Sequence, residues 1–117
     1  MAITAITVNG SEPSNIFPAM ILGSAAAATG DDVTIFCCPG GAPVMVKGEL
    51  EKIKVKGMPD IVELYEGIRA LGGKILVCEL ALGAKEIKAE DFREGVEIVG
   101  ATSFLASITG ASITFSF

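Results

Sequence analysis

The chain has 117 residues, half of them hydrophobic, with three cysteines, no histidine and no tryptophan. That length suits one domain over residues 1–117, with a core built from Ala, Val, Ile, Leu and Met. Nine basic against fourteen acidic residues leave a net charge of −5, which argues against a nucleic-acid partner, since phosphate backbones are bound by clustered Lys and Arg.

Without histidine, no Ser-His or Cys-His catalytic pair can form within the chain. The one basic run, Lys47 to Lys56, alternates with Glu49 and Glu51 and reads as a solvated face. Ala2 to Val8 lacks the basic start and long apolar core of a signal peptide. The most apolar stretch, Ile16 to Thr29, falls short of the roughly 20 residues that a bilayer span needs. These features predict a soluble cytoplasmic protein with no membrane partner. Its cysteines are then expected to be thiols or reactive groups rather than structural disulfides.

In chain order, Ala2 to Val8 is rich in Ile, Val and Thr and reads as a strand, ended by Asn9-Gly10-Ser11. Ser11 or Ser14 can cap a helix that tolerates Pro13 in its first turn, runs to about Thr29 and stops at Gly30. This helix is apolar nearly all round, so it must be covered on more than one side; a second subunit is the expected further cover. Val33 to Phe36 forms a second strand that leads into Cys37-Cys38-Pro39-Gly40-Gly41. Ala42 to Gly57 reads as a loop, with room for one helical turn. A helix starts at Pro59-Asp60, where Asp60 and Glu63 resemble a capping box, and carries Ile61, Leu64, Ile68 and Leu71 at helical spacing. Gly72-Gly73 ends it. Ile75 to Val77 is a third strand running into Cys78, followed by short helical pieces at Leu80 to Glu86 and Ala89 to Arg93. Val96 to Val99 is a fourth strand, Gly100-Ala101-Thr102-Ser103 opens a helix through about Thr109, and Ala111 to Phe117 is a fifth strand with Ile113, Phe115 and Phe117 on one face. Strands alternating with helices predict an α/β fold: a three-layer α/β/α domain around a mainly parallel five-stranded sheet, flavodoxin-like or Rossmann-like.

In such a sheet, ligands and chemistry collect beyond the carboxyl ends of the strands. Cys78 has that position, just before a helix whose N–H groups would favour a thiolate, with Lys85 as a helper and Glu79 as an opponent. Position alone leaves it open whether Cys78 is a nucleophile or a small core residue. Cys37 and Cys38 also follow a strand and are candidate auxiliary thiols, although filling a strand end is the simpler role for Cys37. Gly10-Ser11 and Gly100-Thr102-Ser103 precede helices and are candidate anion-binding loops, but match neither the G-x-G-x-x-G nor the P-loop pattern. With no Cys-x-x-Cys and no histidine, no metal is expected, and no cofactor.

Lys74-Ile75-Leu76-Val77-Cys78-Glu79, Gly95-Val96-Glu97-Ile98-Val99-Gly100-Ala101 and Ala111-Ser112-Ile113-Thr114-Phe115-Ser116-Phe117 resemble the DsrE/DsrF-like family. The opening strand, the alanine-rich helix and Asp32-Val33-Thr34-Ile35-Phe36 match its layout, so the resemblance covers nearly the whole chain. It implies a sulfur-relay protein, a sulfurtransferase or carrier that holds sulfur as a persulfide on Cys78 and passes it between donor and acceptor proteins. It also implies a homo-oligomer, trimer or hexamer. Persulfide exchange needs only a nucleophilic sulfur, which suits a chain without histidine. Two alternatives stand beside it: a small-molecule or nucleotide-binding module on the same fold, and a thiol redox protein using Cys78 with Cys38.

Overall fold

The computed structural model describes residues 2–117. Five strands, β1 (Ile3–Val8), β2 (Asp32–Cys37), β3 (Lys74–Cys78), β4 (Val96–Val99) and β5 (Ile113–Ser116), form one sheet in the order β4-β3-β2-β1-β5. Every pairing is parallel, so the architecture is the expected α/β one. The first three crossovers step in one direction and the fourth reverses. Because parallel crossovers are right-handed, the connections after β1, β2 and β3 share one face and the connection after β4 takes the other.

The side chains follow. Ile6, Val8, Val33, Ile35, Cys37, Ile75 and Val77 face α1 (Pro13–Ala28) and α2 (Ile61–Ala70) in the main core. The alternate residues Phe36, Leu76 and Cys78 face α4 (Ala101–Ser107), which buries Phe104 against them. One seven-residue helix is thin cover for that face: Glu97, Thr114 and Ser116 of the edge strands stay exposed.

The apolar circumference of α1 is met inside the chain in part. Gly23 turns toward Ile6, Ile35 and Ile68, so close that an added Cβ would lie 3.0 Å from the Ile35 Cδ1 and 3.1 Å from the Ile68 Cδ1. The sheet covers one side of α1 and α2 a second, and Ile21 is left 37% exposed on the outside. Its start also differs from expectation. Glu12 occupies the N-cap without a side-chain hydrogen bond, and Pro13 stands in the first turn. Ser11 does not cap, because its hydroxyl is turned away to donate to the Gly40 carbonyl at 2.8 Å; Ser14 lies within the helix. Gly30, at φ 93°, follows the helix as expected.

At α2, Asp60 caps as predicted, its carboxylate accepting from the Val62 and Glu63 N–H groups. Ala42 to Gly57 is more ordered than a loop. Pro43–Met45 and Leu50–Lys52 are single 3-10 turns, and the segment delivers Ala42, Val44, Met45 and Leu50 to the core. The piece after Cys78 is shorter than expected: α3 spans Leu80–Ala84, and Glu86 stands at φ 53°. Ala89–Asp91 is a 3-10 turn.

Candidate functional site

Parallel pairing brings the carboxyl ends of all five strands to one edge, and the β2–β3 register decides what meets there. The pairing runs from Thr34 beside Lys74 to Cys37 beside Val77. Cys38 continues in extended backbone, φ −64° and ψ 167°, and its N–H donates to the Val8 carbonyl at 2.9 Å. The next position in that register therefore sets Cys38 beside Cys78, whose other neighbour is Val99 of β4. Successive strand residues point to opposite faces, so Cys38 shares the α4 face with Phe36, Leu76 and Cys78. Cys37 points the other way, fully buried among Val8 and Val77. All three thiols are free.

Their environments differ accordingly. Burial, and secondarily the charge of Cys38, push the Cys37 thiol up to about 12; this is a packing sulfur. The Cys38 thiol is half-buried. Burial first, and the neighbouring Cys78 charge second, raise it above the ordinary thiol value, partly offset by a backbone hydrogen bond. Cys78 is 4% exposed. Above it, the Phe104 ring stacks on Phe36 at 4.3 Å between centroids. Close by, Leu80 stands 69% exposed at the start of α3.

Glu79, the expected opponent of the Cys78 thiolate, and Lys85, its expected helper, cap the two ends of α3. Lys85 is the C-cap of α3, at the opposite end of that helix and roughly 8 Å along its axis from the start. Glu79 is exposed, and its carboxylate lies against Gly100, where an added Cβ would be 3.1 Å from Oε1. At five residues, α3 makes little more than one turn and aligns few peptide dipoles.

The two glycine loops do not form one pocket with Cys78. Asn9-Gly10-Ser11 follows β1 and Gly100-Ala101-Thr102-Ser103 follows β4, with β2 and β3 between them, a separation of about 14 Å at sheet spacing. The first loop is committed internally: Ser11 donates to the Gly40 carbonyl, the Gly40 N–H donates to the Asn9 Oδ1 at 3.3 Å, and Asn15 fills the space beside Gly10. At the second, Gly100 is the N-cap without a side-chain bond, and Thr102 and Ser103 are exposed in the first turn of α4.

Among the described residues no three Cys, Asp or Glu side chains converge as a metal site, and no helix is long and apolar enough to cross a membrane. A cleft of about 440 Å³, lined by Leu50, Ile53, Val55, Met58 and Ile61 among others, includes none of the cysteines. A smaller one of about 190 Å³ lies by Ile3, Asp32 and Lys74 at the amino edge. Sequence reasoning missed Phe36 and Phe104. Strand parity held the signal for Phe36, two residues before Cys38; Phe104 depends on which face α4 covers.

Comparison with known proteins places this geometry. Over 72 residues the chain is 39% identical to the uncharacterised protein MJ0760 of Methanocaldococcus jannaschii, a match covering 62% of this chain and 26% of that protein. The matched part is thus about a quarter of the length of that curated relative. The crystal structure of YchN from Escherichia coli superposes with a TM-score of 0.81 at 18% identity over the full length of both chains. MTH1491 of Methanobacterium thermoautotrophicum, a protein of unknown function, superposes with a TM-score of 0.74 at 11% identity over 98% of this chain and 97% of that one. The model of the DsrE/DsrF-like family matches residues 1–117, and the chain belongs to that family.

Proposed function

We propose that this chain, acting as one domain, is a sulfur carrier that holds a sulfane sulfur on Cys78 and yields it to a partner thiol. The family is related to sulfur relay in general. The observation that carries the reading is the place of Cys78: at the carboxyl edge of a central strand, under the Phe36–Phe104 stack, with a second thiol next in register.

In the loading step the Cys78 thiolate attacks the outer sulfur of a donor persulfide. One S–S bond forms, the donor's S–S bond breaks, and the electron pair leaves on the donor thiolate. Delivery is the same exchange, with the acceptor thiolate attacking the outer sulfur and Cys78 as leaving group. No histidine is required, and the apolar surround keeps stray thiols from the loaded sulfur. Donor and acceptor are thiol proteins of the cytoplasm. Leu80 of α3 and Leu105 of α4, 69% and 61% exposed, give separate apolar contact points for them and for assembly into a trimer or hexamer.

The test is intact mass after treatment with a low-molecular-weight persulfide donor. Wild type should gain one sulfur atom that dithiothreitol removes, and Cys78→Ser should gain none. Equal loading of Cys78→Ser would overturn the assignment.

A further inference from the structure

We propose that Cys38 is the resolving thiol of this site: it attacks the inner sulfur of a Cys78 persulfide, closes a Cys38–Cys78 disulfide and expels hydrosulfide. This rests on the carrier reading above and deepens it, because it states what becomes of a sulfur that no acceptor collects.

The geometry comes from the register. Neighbouring positions on adjacent strands stand roughly 4.8 Å apart, inside the window of about 4.4–6.8 Å between Cα atoms that a disulfide tolerates. A disulfide also needs side chains that do not point apart, and Cys38 and Cys78 share one face of the sheet, both packed in the cluster of Phe36, Leu76 and Phe104. Cys37 is ruled out by direction rather than by distance, since its side chain is fully buried on the opposite face. Accessibility also differs between the pair: Cys38 is half-buried and Cys78 buried, so an external thiol reaches the closed disulfide first at Cys38.

The step balances without an outside oxidant. The Cys38 thiolate forms a bond to the Cys78 sulfur while the bond from that sulfur to the outer sulfur breaks, and the electron pair leaves on hydrosulfide. The sulfane sulfur is reduced to sulfide and the two cysteine sulfurs are oxidised to the disulfide. A small-molecule or protein dithiol then reduces the disulfide and restores both thiols. A loaded chain therefore has a limited time in which to deliver its sulfur before releasing it as sulfide.

The experiment loads wild type, Cys38→Ser and Cys38→Ala with a low-molecular-weight persulfide donor, removes the donor, and follows intact mass and free sulfide without added thiol. Wild type should lose the added sulfur, release equimolar sulfide, and yield a linked Cys38–Cys78 peptide within single chains on non-reducing mapping. Both variants should keep the sulfur about tenfold longer. Equal persulfide lifetimes in all three overturn the proposal and leave the carrier reading standing, as does a link that fragmentation of the peptide assigns to Cys37 rather than Cys38, or one that joins two chains. If none of the three accepts sulfur, the carrier reading fails and takes this proposal with it.

Discussion

The Phe104 ring lies flat on that of Phe36, with 4.3 Å between centroids and 9° between planes. This stack fixes α4 over β2 and β3 and makes it the roof of the Cys38–Cys78 pair. Phe104→Ala removes the roof and costs about 3 kcal/mol, measurable as a lower urea midpoint. In the folded variant Cys78 should alkylate at least about tenfold faster than in wild type. Phe104→Leu keeps most of the volume and should lie between the two. An unchanged alkylation rate in both variants would show that α4 does not control access.

Cys37 makes folding stability depend on alkaline pH. Its thiol ionises near pH 12 in the folded chain and near about 8.5 when unfolded. A folded value above the unfolded one means that the contribution is complete below the unfolded value. It is lost as pH rises toward the folded one, because only the unfolded chain then releases the proton. Urea midpoints should therefore fall between about pH 8.5 and 12. Buried Tyr65, whose phenol is also raised chiefly by burial, adds a slope of the same sign. Cys37→Ala should flatten the decline in part, leaving the shares of Tyr65 and of Cys38, whose thiol is also raised.

Cys38 feels Cys78 through space. Its alkylation should show a midpoint above that of an ordinary cysteine, because burial first and the Cys78 charge second raise it. Cys78→Ala removes the second cause, so the midpoint should fall without reaching the ordinary value. A midpoint indifferent to Cys78 would mean that the two sulfurs are not neighbours in solution.

Two glycines should respond oppositely to alanine. Gly41 lies against the end of β1, where an added Cβ would be 2.5 Å from the Val8 carbonyl oxygen. Gly41→Ala must shift the backbone that carries Cys38, at a cost on the order of 2 kcal/mol. Gly67, inside α2, has no atom within 4 Å of an added Cβ, so Gly67→Ala should gain about 0.5–1 kcal/mol. Thermal melts of the two variants check both signs.

The elements were legible in the sequence because each has a local cause. Thr, Val and Ile patterns mark β1 to β4, Asp60 starts α2 through its own carboxylate, and Gly30 and Gly72 follow helices at positive φ. Strand order has no such local cause. Nothing near Ala111 to Phe117 says that β5 returns to lie beside β1, and that return alone puts α4 on the Cys78 face. The Ser11 cap failed for a similar reason, since its hydroxyl is used by Gly40, 29 positions along the chain. The site was half legible. Strand ends located the three cysteines at one edge, but separating Cys37 from Cys38 required the register of β2 against β3.

That register gives the cysteine doublet a consequence of its own. Consecutive residues of extended backbone point to opposite faces, so a slip of β2 by one residue would exchange the two sulfurs. Cys37 would then stand beside Cys78 and Cys38 would enter the packing under α1. Either alignment leaves one thiol next to Cys78 and one sealed in the core. The same slip would carry Phe36 off Phe104 and Thr34 into the main core, so the packing of both faces holds β2 in the one alignment that keeps Cys38 beside Cys78.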